Sequence, residues 1–340
     1  LPEKMPESWQ SIDLPHTWNS VDGHDGNGNY DRGCYWYAKT FETPRQPLKG
    51  GRVFLEVLAA GQQATVYVNG KGEFYHEGGY SLFRVDITDA CREEGENLLA
   101  IACSNEKKSS VYPQSADFTF YGGLYRGVNL ISVPDAHFDL EHWGSIGLMV
   151  TPSPCGCGGA TFKLESWVVN ADENFTVLYS VRDADGKEVA SAVRPADSTE
   201  VEVYVPDAVL WDCEHPYLYT VTATLQRRNE AYDEVSARAG VRSFSCDPDK
   251  GFILNGIPTP LRGVSRHQDM LYKGNALTRE DHYSDARMIK ELGANTIRLA
   301  HYQHSKDFYD ACDEMGFVVW AEIPFISVME KDPAAHQNCI

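Results

Sequence analysis

Apolar and polar residues alternate along the chain as far as about Arg242. Val53-Phe54-Leu55-Glu56-Val57, Gln63-Ala64-Thr65-Val66-Tyr67-Val68, Tyr80-Ser81-Leu82-Phe83-Arg84-Val85 and Asn97-Leu98-Leu99-Ala100-Ile101-Ala102 read as strands, with Asn69-Gly70 as a hairpin turn. Many short strands without convincing helices predict a sandwich or jelly roll up to about residue 134. A second β series follows. It takes in Thr161-Phe162-Lys163-Leu164-Glu165-Ser166-Trp167-Val168-Val169, Phe175-Thr176-Val177-Leu178-Tyr179-Ser180-Val181 and the alternating Leu218-Tyr219-Thr220-Val221-Thr222-Ala223-Thr224-Leu225. Its regular turn spacing suits an immunoglobulin-like sandwich, although the Cys and Trp spacing of antibody domains is absent.

From about Ser243 the period changes. Leu261-Arg262-Gly263-Val264-Ser265-Arg266-His267 and Asn295-Thr296-Ile297-Arg298-Leu299-Ala300-His301-Tyr302 are short apolar strands that each end near an Arg and a His. Between them Thr278 to Leu292, stopped by Gly293, reads as a helix, so the segment predicts a βαβ unit. A second helix over Lys306 to Met315 and a third strand, Phe317-Val318-Val319-Trp320-Ala321, deliver Glu322 to the same strand ends. Parallel units of this kind carry chemistry at the carboxyl ends of their strands, so the two Arg/His pairs are expected to form one wall of an active site. Three strands cannot close an eight-stranded barrel. The chain therefore reads as a fragment of a longer protein, the alternative being a small open α/β domain.

Charge narrows the partners. Net charge is −19 with no basic block, which disfavours nucleic acid and anionic membranes and suits a neutral ligand such as a sugar. No apolar run is long enough to span a bilayer. Leu1-Pro2-Glu3-Lys4 shows no signal-peptide pattern and no initiator Met, which leaves export open. The nine cysteines are scattered, and the only close pair, Cys155-Gly156-Cys157, has no His/Cys cluster beside it. Zinc is not expected. Reduced thiols point to a cytoplasmic protein. Asp22-Gly23-His24-Asp25-Gly26-Asn27-Gly28-Asn29 has calcium-loop composition but lacks the closing bidentate Glu, so it is expected to be a Gly/Asn loop near the sugar site.

With these elements in place, the chain resembles glycoside hydrolase family 2, the β-galactosidase and β-glucuronidase group. Leu14-Pro15-His16-Thr17-Trp18 is similar to the family's LPHxW element and Tyr121-Gly122-Gly123-Leu124-Tyr125-Arg126 to its GGIYR element. Leu210-Trp211-Asp212, Pro216-Tyr217-Leu218-Tyr219 and Gly240-Val241-Arg242-Ser243-Phe244 resemble the linker into the barrel, and the two Arg/His strands resemble the family signature. The resemblance implies a multidomain chain, mainly β and then α/β. Its parts are a jelly-roll sugar-binding domain over 1–134, an immunoglobulin-like β-sandwich over 135–243, and over 244–340 the first strands of a truncated TIM barrel.

It also implies a retaining hydrolase of terminal β-D-galactosides. The alternatives are a β-glucuronidase and a non-catalytic carbohydrate-binding protein. Neither catalytic glutamate is assigned in this chain: the acid/base and the nucleophile are expected beyond Ile340, and the chain alone is expected to be inactive. The substrate wall implied by the resemblance is Asp117, His267, Arg298 and His301, with Glu322 and Trp320 in support. Some galactosidases use a Glu at the Glu322 position for magnesium, followed by a His. Here Ile323-Pro324-Phe325 follow, so neither magnesium nor any other cofactor is assigned. Exposed edges of an unclosed barrel leave a homo-oligomer open.

Overall fold

The computed structural model describes residues 8–27, 29–44, 50–156 and 158–339. The readings made on Leu1 to Lys4, on Gly28 of the Gly/Asn loop and on Cys157 of the close pair lie outside the described residues. The first sandwich pairs two antiparallel sheets. One has the spatial order Cys34–Glu42, Glu96–Ser104, Gln63–Val68, Lys71–Glu77; the other runs Phe83–Asp86, Arg52–Val57, Val128–Val133. Alternation puts Val53, Leu55 and Val57 of one sheet against Ala64, Val66 and Ile101 of the other in a sealed core. The Asn69-Gly70 turn forms as predicted, with both residues at positive φ (51° and 81°).

The second sandwich packs Glu200–Val205, Gly159–Ser166 and Leu148–Cys155 against Glu188–Pro195, Phe175–Arg182, Tyr219–Arg227 and Glu230–Ala239. Phe162, Leu164, Val177, Tyr179, Val221 and Leu225 fill the space between them. The predicted strand over 161–169 is split: Gly159–Ser166 ends before Trp167, and Val168–Val169 pairs separately with His137–Phe138. Trp211, in the linker element, is buried and donates its indole N–H to Asp313 O at 2.8 Å, tying this sandwich to the next unit.

Strand–helix alternation begins later than the sequence suggests. Phe244–Asp247, Gly251–Leu254 and Ile257–Pro258 form an antiparallel meander first. Its cause is local: Gly251 (φ 76°) and the Asn255-Gly256 pair (φ 52° and 79°) supply the turns that fold a chain back on itself. The parallel sheet follows, with Gly263–Arg266, Thr296–Leu299 and Val318–Ala321 in sequence order.

Its first helix, Arg279–Glu291, starts at a Thr278/Asp281 capping box, and its second, Lys306–Met315, stops at Gly316 in the left-handed region. Ile297, Leu299, Ala286, Phe308 and Ala311 form the core beneath the helices. Among the described residues no helix is long and apolar enough to cross a membrane.

Register decides which way each strand residue points. Ser265 pairs with Arg298, which pairs with Trp320, whereas Arg266 pairs with Leu299 and that with Ala321. Paired residues on neighbouring strands share a face, and the next residue points the other way. Arg298 therefore lies on the open face of the sheet and Arg266 on the helix side.

Candidate active site

Three groups meet where the second and third parallel strands end. Arg298 donates from Nε to Glu322 Oε1 at 2.6 Å, and His301 Nδ1 lies 2.8 Å from Glu322 Oε2. Burial pulls the Glu322 carboxyl up, but the bonds from Arg298 and His301 outweigh it, and its pKa lies below the ordinary value. An ionised carboxylate only accepts, so His301 Nδ1 carries the proton and donates. The 3.2 Å approach of Arg298 Nη2 to the same nitrogen is then a contact and not a hydrogen bond. In the neutral ring this leaves His301 Nε2 as an acceptor.

His267 is set the opposite way. Its ring centroid lies 5.3 Å from that of His301, and its Nδ1 lies 3.2 Å from the Tyr302 hydroxyl. Tyr302 already accepts from Gln268 N, and burial drives its pKa up, so its hydroxyl donates to His267. The protonated nitrogen of His267 is then Nε2. Burial, foremost, holds the His267 pKa below its usual value, with His301 and Arg298 acting alike and Asp269 and Asp117 opposing. One histidine offers a donor and its neighbour an acceptor, a suitable pair for reading sugar hydroxyls.

The first sandwich closes this rim. Phe118 is buried against His267, His301 and Tyr302, at ring distances of 5.0, 6.2 and 5.4 Å. Asp117 is exposed beside it and near enough for its charge to act on His267. Arg126 is buried and donates from Nη2 to Gln268 Oε1 (3.2 Å) and Gln303 O (2.7 Å), so it holds the segments that carry both histidines. Beyond Glu322 a cavity of about 410 Å³ opens, lined by Arg298, His301, Glu322, Ile323, Phe325, Ile326 and Ser327. Its outer wall is pinned from the first sandwich as well: Tyr112 packs edge-on to Phe325 at 5.3 Å, and its hydroxyl accepts from Glu330 N at 2.6 Å.

Arg298, His301 and Glu322 thus converge, with His267 beside them and Asp117 on the facing loop. One expectation is corrected. Only one of the two Arg/His pairs puts its Arg on the wall. Arg266 faces the helices, held by Asp285 through Nε (2.9 Å) and Nη2 (2.6 Å), with Phe308 3.9 Å from its centre. The cause is the one-residue register offset. Trp320, expected in support of the wall, is two-thirds exposed on the open sheet face with Arg298.

The Asp22 loop is also structural in part. Asp22 is buried and accepts from Asn19 Nδ2 at 2.9 Å and Asp31 N at 2.7 Å. Both Glu322 oxygens are engaged by donors, and the described residues contain no cluster of three or more His, Cys, Asp or Glu fit for a metal. Phe118, Tyr302, Arg126 and Gln268 received no role from the sequence. All four adjoin quoted elements: Phe118 follows Asp117, Tyr302 follows His301, Gln268 follows His267, and Arg126 ends the Gly-Gly-Leu-Tyr-Arg element.

The helix-side histidines make the unit acid-sensitive. Burial, then Arg266, lowers the His282 pKa to about 3, and the same causes hold His304 well below its usual value. A depressed folded-state pKa contributes stability above the unfolded value and loses it as pH falls toward the folded one. Between pH 7 and 5, on an unfolded pKa of about 6.5, His282 should give up about 2 kcal/mol, and His304 adds a loss in the same direction. His16, His76 and His267 are lowered too and add in the same direction. Urea unfolding at the two pH values checks this; equal stability at both would contradict it.

Known proteins are similar to this chain in sequence and fold. Residues 8–134 match the family model described as glycosyl hydrolases family 2, sugar binding domain; 150–242 match glycosyl hydrolases family 2; and 248–338 match its TIM barrel domain. Among solved structures, an FMN-binding beta-glucuronidase from Facaelibacterium prausnitzii is 65% identical with a TM-score of 0.95, over 96% of this chain and 51% of that one. A beta-glucuronidase of Bacteroides fragilis is 35% identical over 93% of this chain and 46% of its own length. A beta-galactosidase of Bacteroides ovatus is 31% identical over 96% and 39%. The chain spans about half the length of the first two of these relatives and 39% of the third.

Proposed function

This chain belongs to glycosyl hydrolase family 2, and on that premise we propose that it carries the sugar-recognising wall of an enzyme that cleaves terminal β-D-glucuronides with retention. The observation that carries the substrate choice is the 65% identity, over nearly the whole chain, to a structure described as a beta-glucuronidase. The β-D-galactoside expected from the sequence is the second reading, supported by the Bacteroides ovatus relative at 31%. Geometry supports the choice. Arg298 Nη1 has no hydrogen-bond partner among the described residues, so the guanidinium keeps donors for an anionic group at the cavity.

In this reading the chain's residues bind and orient. His267 Nε2–H donates to one sugar oxygen while His301 Nε2 accepts from a hydroxyl, a geometry that Glu322 and Tyr302 hold. Arg298 keeps Glu322 ionised, and its fixed positive charge would do the same for a nucleophilic carboxylate placed beside it. Asp117 and Phe118 close the wall from the first sandwich. The acid/base and nucleophilic carboxylates of retaining chemistry belong to the remaining barrel strands, and no residue here is assigned either role. No cofactor is assigned to this chain, and the flavin is a property of the relative as described. The partner is a carbohydrate.

Hydrolysis of a panel of aryl β-D-glycosides by the protein with its barrel complete tests the proposal. The glucuronide should be cleaved at least about tenfold faster in kcat/KM than the galactoside, a discrimination that one buried ion contact can supply. Preference for the galactoside would select the second reading. Cleavage of neither would favour a carbohydrate-binding protein.

A further inference from the structure

We infer that His304 is a positioning residue for His301, clamping the Ala300–His301 peptide at the end of a buried relay from Asp285 through Arg266. Each link has a forced direction. The Asp285 carboxylate accepts two bonds from Arg266, and Arg266 Nη1 lies 3.1 Å from His304 Nδ1. A guanidinium can only donate, so His304 Nδ1 is the acceptor and its proton sits on Nε2. Nε2 lies 3.1 Å from Ala300 O, which can only accept. The Ala300 N–H is bound as well, to Arg266 O at 3.1 Å.

Both backbone polar groups of the residue before His301 are therefore held by Arg266 and its partner. The relay is buried: Arg266 is 6% exposed and His304 3%. A ring that is Arg266's acceptor and Ala300's donor at once fixes the carbonyl more firmly than either bond alone. The relay touches none of the cavity-lining side chains, so its effect on the sugar passes through the placement of His301. The functional meaning rests on the glycosidase reading; the geometry does not.

The test uses His304→Phe, which keeps a ring but removes donor and acceptor, beside His304→Gln, whose amide retains one of each. In this chain, the Nδ1–H proton resonance of His301, hydrogen-bonded to Glu322, should be lost or broadened in His304→Phe and kept in His304→Gln. In the complete protein, kcat should fall about 30-fold for the Phe variant, within the range for removing a partner that orients an active-site imidazole, with KM changed much less. The Gln variant should lie within about fivefold of the parent.

An unchanged His301 resonance in a folded Phe variant overturns the relay. Should His304→Phe fail to fold, Arg266→Lys carries the same two readouts. It keeps the charge beside Asp285 and withdraws the planar fork, and an unchanged resonance there overturns the relay equally. Loss of the resonance in a protein that hydrolyses no glycoside supports the relay and counts against the functional reading instead.

Discussion

Arg298→Ala lowers kcat/KM for an aryl β-D-glucuronide by about 10²- to 10³-fold in the protein with its barrel complete, the loss typical of one preorganised charged donor. Thermal stability should hardly move. The Arg298 side chain is 44% exposed, on the open face of the sheet, and partly exposed ion pairs of this kind are worth about 1 kcal/mol or less. Tm should therefore fall by no more than a few degrees. The rate loss has two sources. The guanidinium no longer meets an anionic substrate group, and Glu322 loses the stronger of the donors that keep it ionised. A large drop in Tm with proportionate loss of active protein would assign Arg298 a structural role and contradict this.

The reverse pattern is expected one register step away. Asp285→Ala should destabilise the parallel unit by about 3 kcal/mol, because it strands a buried guanidinium without its counter-charge. Arg266 is only 5% exposed at its side chain and Asp285 19%, so solvent replaces little of what is lost. The estimate sits at the lower end of the usual 3–5 kcal/mol for a broken buried pair because Asp285 keeps some contact with water. Tm of this unit should drop by roughly 10 to 20 °C, read from a thermal scan. Asp285→Asn keeps an acceptor and should lose much less. A Tm unchanged in Asp285→Ala would mean that the guanidinium is hydrated, against its burial under Phe308.

These two arginines also mark where sequence reading stops. The strands, the helix from Thr278 and the Gly316 stop follow from local chemistry, which period, caps and turns report faithfully. Both Arg/His pairs looked equivalent because each strand was read alone. Whether an arginine faces solvent or helices is set by pairing with another strand, and that pairing is non-local. The meander over 244–258 shows its Gly and Asn turns in the sequence, but its strands of four, four and two residues are too short to carry an alternation pattern.

Glu322 was expected as a support for the site, and it lies 2.6 Å from Arg298. The tautomers of His267 and His301 had no sequence signal. They depend on Tyr302 and Glu322 converging from different strands. Phe118 could have been found from its place next to Asp117, had a flat apolar side chain been weighed as a wall for the sugar as well as a core residue.

The placement of the sugar is the central claim. A crystal structure of the complete protein with a non-hydrolysable thio-β-D-glucuronide tests it most directly. The account predicts the pyranose beside Arg298 and Glu322, with a hydroxyl within hydrogen-bond distance of His301 Nε2 and an oxygen facing His267 Nε2. A sugar bound with no contact to Arg298, His301 or His267 would contradict it.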